Sequence, residues 1–165
     1  MKSVFSICKI FSFCFFIVCI FSSCTSYLIL KGGQHVPKEV TIYVNGYDTS
    51  TGDLTLEDDF HHSADPFTAH PGQKIRWKIS GVKHFLIDNI VAKSAKTPAN
   101  EVFEKKPKPV KFFSKSWNGT LKDSTGLRGI DVVSDSSGNF INYTYKIVWH
   151  KYGQHTFDPK IHINL

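Results

Sequence analysis

The run from Phe140 to Leu165 is the stretch that most narrows what this chain can fold into. Ile141, Tyr143, Tyr145, Ile147 and Trp149 are apolar at successive odd positions, with polar Asn142, Thr144, Lys146 and His150 between them and only Val148 out of step. Beyond Lys151-Tyr152-Gly153-Gln154 the parity resumes: Phe157, Ile161, Ile163 and Leu165 are apolar, while Thr156, Asp158, Lys160, His162 and Asn164 are polar. Side chains alternate across a strand, so a period of two on both sides of a glycine-containing turn predicts one long antiparallel hairpin with one buried face. A hairpin alone is only marginally stable, so the preceding chain has to supply an opposing sheet. Asp158-Pro159 breaks the second arm, and a bulge or an edge position there would make the proline harmless.

Earlier segments carry the same signal in shorter pieces. Val40, Ile42 and Val44 alternate with Thr41, Tyr43 and Asn45, and Leu54 and Leu56 follow the turn signals Asn45-Gly46 and Ser50-Thr51-Gly52. After His70-Pro71-Gly72, the residues Ile75, Trp77 and Ile79 point one way and Lys74, Arg76 and Lys78 the other. Phe85 to Val91 is apolar on both faces and reads as a central strand, and Ile130 to Val133 as a short one. Between Lys93 and Lys115, seven lysines are interleaved with Pro98, Pro107 and Pro109. Pro107-Lys108-Pro109 excludes a central strand or a helix interior, so this segment reads as a long connection. Phe112-Phe113 and Trp117 then return to the core. The pattern predicts an all-β, antiparallel Greek-key β-sandwich, with a closed barrel as the alternative.

The N-terminus is of another kind. Lys2 and Lys9 precede an almost wholly apolar Ile10 to Phe21, and Ser22-Ser23-Cys24 follows, which is the layout of an export signal. From the residues themselves two outcomes are open, cleavage nearby or an uncleaved span, since Ile10 to Leu30 has no charge. The polar run Ser22 to Ser26 would sit deep in such a span and argues against it. Each outcome places the domain outside the cytoplasm, in the cell envelope, facing the periplasm or the exterior. The organisation expected is a signal peptide at 1–23, a tether at 24–38 with slack at Gly32-Gly33, and a β-sandwich at 39–165. That leaves roughly 130 residues to fold, enough for one domain with its own core. Of the formal charge of +6, Lys2 and Lys9 contribute two, so the folded part is only mildly basic.

Phe21-Ser22-Ser23-Cys24 resembles the lipobox of bacterial lipoproteins, which implies a diacylated Cys24 as membrane anchor; Phe21 stands where that family places an aliphatic residue. A second resemblance concerns the domain. His70-Pro71-Gly72-Gln73-Lys74-Ile75-Arg76-Trp77 resembles the Pro-Gly turn and strand of cupredoxins. Gly81-Val82-Lys83-His84-Phe85 is similar to the region of their first copper-binding histidine, and Tyr143 to Ile147 with His150 and Gly153 to their last strand and ligand loop. The resemblance implies a cupredoxin-like sandwich, with an immunoglobulin-like one as the alternative. It does not bring the blue-copper site, which needs a Cys thiolate and, as a rule, an axial Met. Cys8, Cys14, Cys19 and Cys24 all precede the domain, and Met1 is the one methionine.

Candidate chemistry is correspondingly thin. On the cupredoxin layout His84, His150 and His155 would meet at one end, and three imidazoles with an open position suit copper or zinc. Against that, His150 and His155 flank a turn and read equally as solvated residues; His162 is surface by parity. Asp58-Asp59-Phe60-His61-His62-Ser63-Ala64-Asp65 mixes carboxylates and imidazoles but lacks EF-hand or zincin spacing. A hydrolytic metal site at His61, His62 and Asp65 is the third class. The lysine-rich segment could meet acidic sugars, lipid head groups or an acidic protein, or be solvated loop. Trp117 reads as core rather than as a sugar platform. Asn118-Gly119-Thr120 and Asn142-Tyr143-Thr144 match the glycosylation sequon, which matters only in a eukaryotic secretory setting. No nucleic-acid motif and no catalytic signature is present in the sequence. The expectation is a lipid-anchored, non-catalytic envelope protein that binds the membrane through its anchor and an envelope protein or glycan through its domain, without a cofactor. A periplasmic copper or zinc binder is the alternative.

Overall fold

The structure is a computed structural model that describes residues 26–30, 33–93, 101–111, 115–136 and 138–165. The expected leader, Cys24, Phe112 and Phe113 lie outside these residues. Thirteen strands occur among them and no helix: β1 (Tyr27–Ile29), β2 (His35–Pro37), β3 (Glu39–Tyr47), β4 (Leu54–Glu57), β5 (Phe67–Ala69), β6 (Lys74–Ile79), β7 (Leu86–Ala92), β8 (Phe103–Pro109), β9 (Ser116–Leu121), β10 (Val133–Asp135), β11 (Gly138–His150), β12 (Gln154–Phe157) and β13 (Lys160–Asn164).

The C-terminal hairpin forms as its parity predicts. Ile147 opposes Phe157 and Trp149 opposes His155; further along, Tyr143 opposes Ile161 and Ile141 opposes Ile163. The register is the same before and after Asp158-Pro159, so the proline sits in the hairpin without a bulge. Its carbonyl still accepts from the Tyr145 N–H at 3.1 Å, and the missing proline N–H removes one bond from the ladder. Val148, the residue out of parity, lies where the register between β11 and β7 shifts by one.

Around this hairpin one sheet assembles: β13 is flanked by β5, and β11 by β7 and β10. The second sheet has the order β4-β3-β6-β9-β8. The two pack as an all-β sandwich that is mixed rather than purely antiparallel, because β3 runs parallel to β6 and β5 to β13. Alternation within a strand carries no information about the direction of its neighbour, which is why the parallel pairs escape a reading of the sequence.

Ile42, Ile75, Trp77 and Leu121 of one sheet meet Ile141, Tyr145, Ile147, Trp149, Ile161 and Ile163 of the other, all fully buried. Each such side chain contributes about 1.5–3 kcal/mol relative to exposure. A polar contact crosses this apolar interior: the Trp77 Nε1–H donates to the Tyr145 hydroxyl at 3.0 Å. Burial pushes the Tyr145 phenol well above its ordinary range, with the Trp77 hydrogen bond acting the other way. Gln73, also buried, joins the Pro-Gly turn to the start of the domain: its Oε1 accepts from the His70 N–H and its Nε2 donates to the Pro37 carbonyl, both at 2.7 Å.

Four expectations are corrected. The tether contains a two-stranded hairpin, β1 with β2. Among the described residues β7 pairs only with β11, as an edge strand, with Leu86 45% and Val91 39% exposed. The lysine-rich connection contains β8, an edge strand that pairs with β9 through two register shifts; an edge tolerates Pro107 and Pro109 because their missing donors have no partner to lose. The short strand near Ile130 begins at Val133, and Ile130 is buried within a turn.

Replacing Tyr145 with Phe leaves the Trp77 N–H buried and unsatisfied, and is expected to lower stability by about 1–3 kcal/mol in urea titration. Adding Trp77→Phe to that variant is expected to cost less than the sum of the two single changes.

Candidate functional site

The two segments on which the metal reading rests do meet. Leu86 of β7 opposes His150 of β11, which brings the residues after His84 beside the tip of the C-terminal hairpin. What occupies this end of the sandwich is an aromatic stack. Phe85 lies 5.2 Å from Trp149, ring to ring, and Tyr47 packs on both at 5.9 and 5.6 Å. The His155 ring stacks on Trp149 at 4.3 Å and 21°. The Trp149 Nε1–H donates to the Gly52 carbonyl at 3.1 Å, so even its polar edge is satisfied. The Lys151 ammonium covers the Tyr47 ring at 4.4 Å, donates to the Tyr47 hydroxyl, and reaches the Lys83 carbonyl at 3.2 Å.

The three histidines are not gathered. His155 opposes Trp149 across the ladder, so the two share a face, whereas His150 is the next residue on β11 and projects from the other. His84 is exposed, with a φ of 54° at the loop before β7. Among the described residues no group of three or more His, Cys, Asp or Glu is arranged to hold a metal ion. The cupredoxin resemblance brought these histidines to one end but could not show that His155 is taken up by an aromatic neighbour.

The acidic and imidazole loop is also self-contained. The Asp58 Oδ1 accepts from the Phe60 and His62 amides at 2.8 and 2.9 Å, closing the turn after β4. Burial alone would raise the Asp58 pKa; the His62 and Phe60 amides, together with the neighbouring His62 side chain, outweigh it and hold the carboxyl below its usual value. The His61 Nδ1 is 3.0 Å from Glu57 and the His62 Nδ1 3.4 Å from Asp58. Asp65 is engaged elsewhere, accepting from the Lys160 amide at the start of β13 at 2.9 Å. His61, His62 and Asp65 therefore belong to separate contacts.

A third region emerges only in three dimensions. Trp77 points inward, so Lys74, Arg76 and Lys78 stand on the outer face of the five-stranded sheet. Across β9 they oppose Thr120, Asn118 and Ser116, and beyond these Lys105 opposes Thr120 and Lys108 opposes Asn118. Two cationic rows thus flank a row of short polar residues. Glu39 lies at one side of this face, bound by Lys74 at 2.6 Å and Arg76 at 2.8 Å. The parity of β6 was readable from sequence; that β8, some thirty residues later, would extend the same face was not. Trp117 is 6% exposed on the inner side of β9 and is a core residue.

No protein-family model matches the chain, and no curated protein is similar to it in sequence.

Gly52 has a φ of +85°, and a Cβ there would lie 3.0 Å from the Thr156 carbonyl. Gly52→Ala is expected to destabilise by roughly 1–2 kcal/mol. Because the Gly52 carbonyl holds the Trp149 indole, the substitution should also move tryptophan fluorescence; unchanged stability and emission would contradict this packing.

Proposed function

We propose that this chain is a lipid-anchored cell-envelope protein whose domain, a cupredoxin-like sandwich, acts by binding and not by catalysis. The observation that carries the reading is the outer face of the five-stranded sheet. Lysines and an arginine from β6 and β8, distant in sequence, stand on one surface, with Glu39 of β3 as the carboxylate beside the β6 cations. Such a face attracts anionic partners and loses its hold as salt screens it. The aromatic stack at the hairpin tip supports the same reading, because Trp149, Phe85 and Tyr47 fill the end at which a cupredoxin would hold its metal. Cys24 provides the anchor in this account, through the lipobox-like Phe21-Ser22-Ser23-Cys24.

Growing cells with a palmitate analogue tests the anchor: label is expected on the chain and is expected to vanish in Cys24→Ala. Label that persists in the variant, or never appears, sinks the lipoprotein reading. A chain produced without residues 1–24, and so without either leader or lipid, tests the binding surface. Without its lipid it should still sediment with envelopes at about 0.01 M salt, where screening reaches about 30 Å, and be released near 1 M, where it falls to about 3 Å.

The alternative, a periplasmic copper or zinc binder using His84, His150 and His155, has one observation in its favour, the approach of the β7 and β11 ends. Titration with Cu(II) or Zn(II) decides between the two. The binding reading expects His150→Ala and His155→Ala each to leave any metal affinity unchanged, since the two rings leave opposite faces of the hairpin. A tenfold loss in both variants would promote the metal reading.

A further inference from the structure

The cationic face is not a plane, and its relief points to one kind of partner. Neighbouring strands lie about 4.8 Å apart, so the rows on β6 and β8 are separated by about 10 Å, and alternate residues along β6 by about 6.8 Å. Between them β9 presents Ser116, Asn118 and Thr120, which are much shorter than the flanking Lys and Arg. The result is a trough with a hydroxyl- and amide-bearing floor and cationic walls. At the Thr120 end the trough opens into a cleft of about 490 Å³, lined by Ser26 and Lys38 from the start of the domain together with Glu39, Gly72, Lys74, Lys105 and Thr120. Lys38 thereby adds a third cation, while Glu39 is already neutralised by Lys74 and Arg76.

Two features of the floor bear on the partner. Asn118 sits between Arg76 and Lys108, and its Oδ1 is buried with no hydrogen-bond partner. A buried acceptor left unmade is costly, and turning it to a ligand hydroxyl removes that cost. The three floor residues moreover carry no ring, so nothing there offers a base a stacking surface.

Resting on the reading of this face as the binding surface, we infer that the trough along β9 binds a linear acidic polysaccharide, with carboxylate or sulfate groups on the Lys and Arg walls and sugar hydroxyls on the Asn118–Thr120 floor. A bilayer presents a broad surface that meets the wall tips and cannot descend between rows about 10 Å apart, whereas a single polymer chain can. An acidic peptide would satisfy the walls but has few hydroxyls for the floor.

The full-length chain in detergent, titrated by calorimetry or interferometry, tests the assignment. Probes are polygalacturonate and alginate as acidic glycans, dextran as neutral glycan, polyphosphate, and vesicles containing anionic phospholipid. The inference expects binding to an acidic glycan and not to dextran, weakened roughly tenfold or more by Lys105→Glu with Lys108→Glu. Asn118→Ala should weaken glycan binding while leaving polyphosphate binding unchanged, a split that a purely electrostatic face would not show. Lys146→Glu, on the outer face of the other sheet, should change neither, and circular dichroism checks that all variants fold.

Binding of vesicles or polyphosphate in preference to the glycans, still abolished by the β8 reversals, overturns the polysaccharide assignment and leaves the binding face standing. Glycan binding indifferent to Lys105 and Lys108, or no binding to any polyanion, overturns both.

Discussion

A buried hydrogen bond spans the interior of this sandwich, from the Trp77 indole on β6 to the Tyr145 hydroxyl on β11. Apolar burial supplies most of the driving force, but it is non-directional and would accept many relative placements of two greasy sheets. A buried N–H is less permissive, because leaving it unmade costs most of what a core contact contributes. The pair therefore selects one placement of β6 against β11. The consequences reach both surfaces. With Trp77 inward, Lys74, Arg76 and Lys78 are outward, and a slip of one residue would bury three charges and expose Ile75, Trp77 and Ile79. The outer trough is thus a product of the inner packing.

The same logic explains why the hairpin tip is closed. Trp149 is placed by the ladder that places Tyr145, four residues earlier on the same face of β11. Phe85, Tyr47 and His155 stack around it, and Gly52 gives up its side chain so that its carbonyl can accept from the indole. His155 and Lys151, two polar groups of that end, are engaged with aromatic neighbours.

Legibility in the sequence followed the physics of one-sided burial. Strands with one dry face, β3, β6 and the β11 to β13 hairpin, were readable because their periodicity is a direct imprint of that asymmetry. β7 was misread because Leu86 and Val91 make it apolar on both faces, the pattern of a central strand, although both stand at an exposed sheet edge. β8 was hidden by prolines that an edge tolerates, and β5, three residues long, offers too short a run to alternate. The histidines were found as residues but not as geometry: a count along the chain places His150 and His155 near one turn, and only the ladder shows that they leave it on opposite faces. The cationic trough was half legible, since β6 shows its three charges openly while its partnership with β8 is a matter of sheet order.

The Trp77 indole proton reports on the central contact most directly. Hydrogen exchange followed by NMR on the full-length chain should show it exchanging only as fast as the deepest amides of β6 and β11, with a nuclear Overhauser contact to the Tyr145 ring. An indole proton that exchanges at the rate of an exposed tryptophan, with no contact to Tyr145, would contradict the account and remove the reason for placing the β6 cations on the outer face.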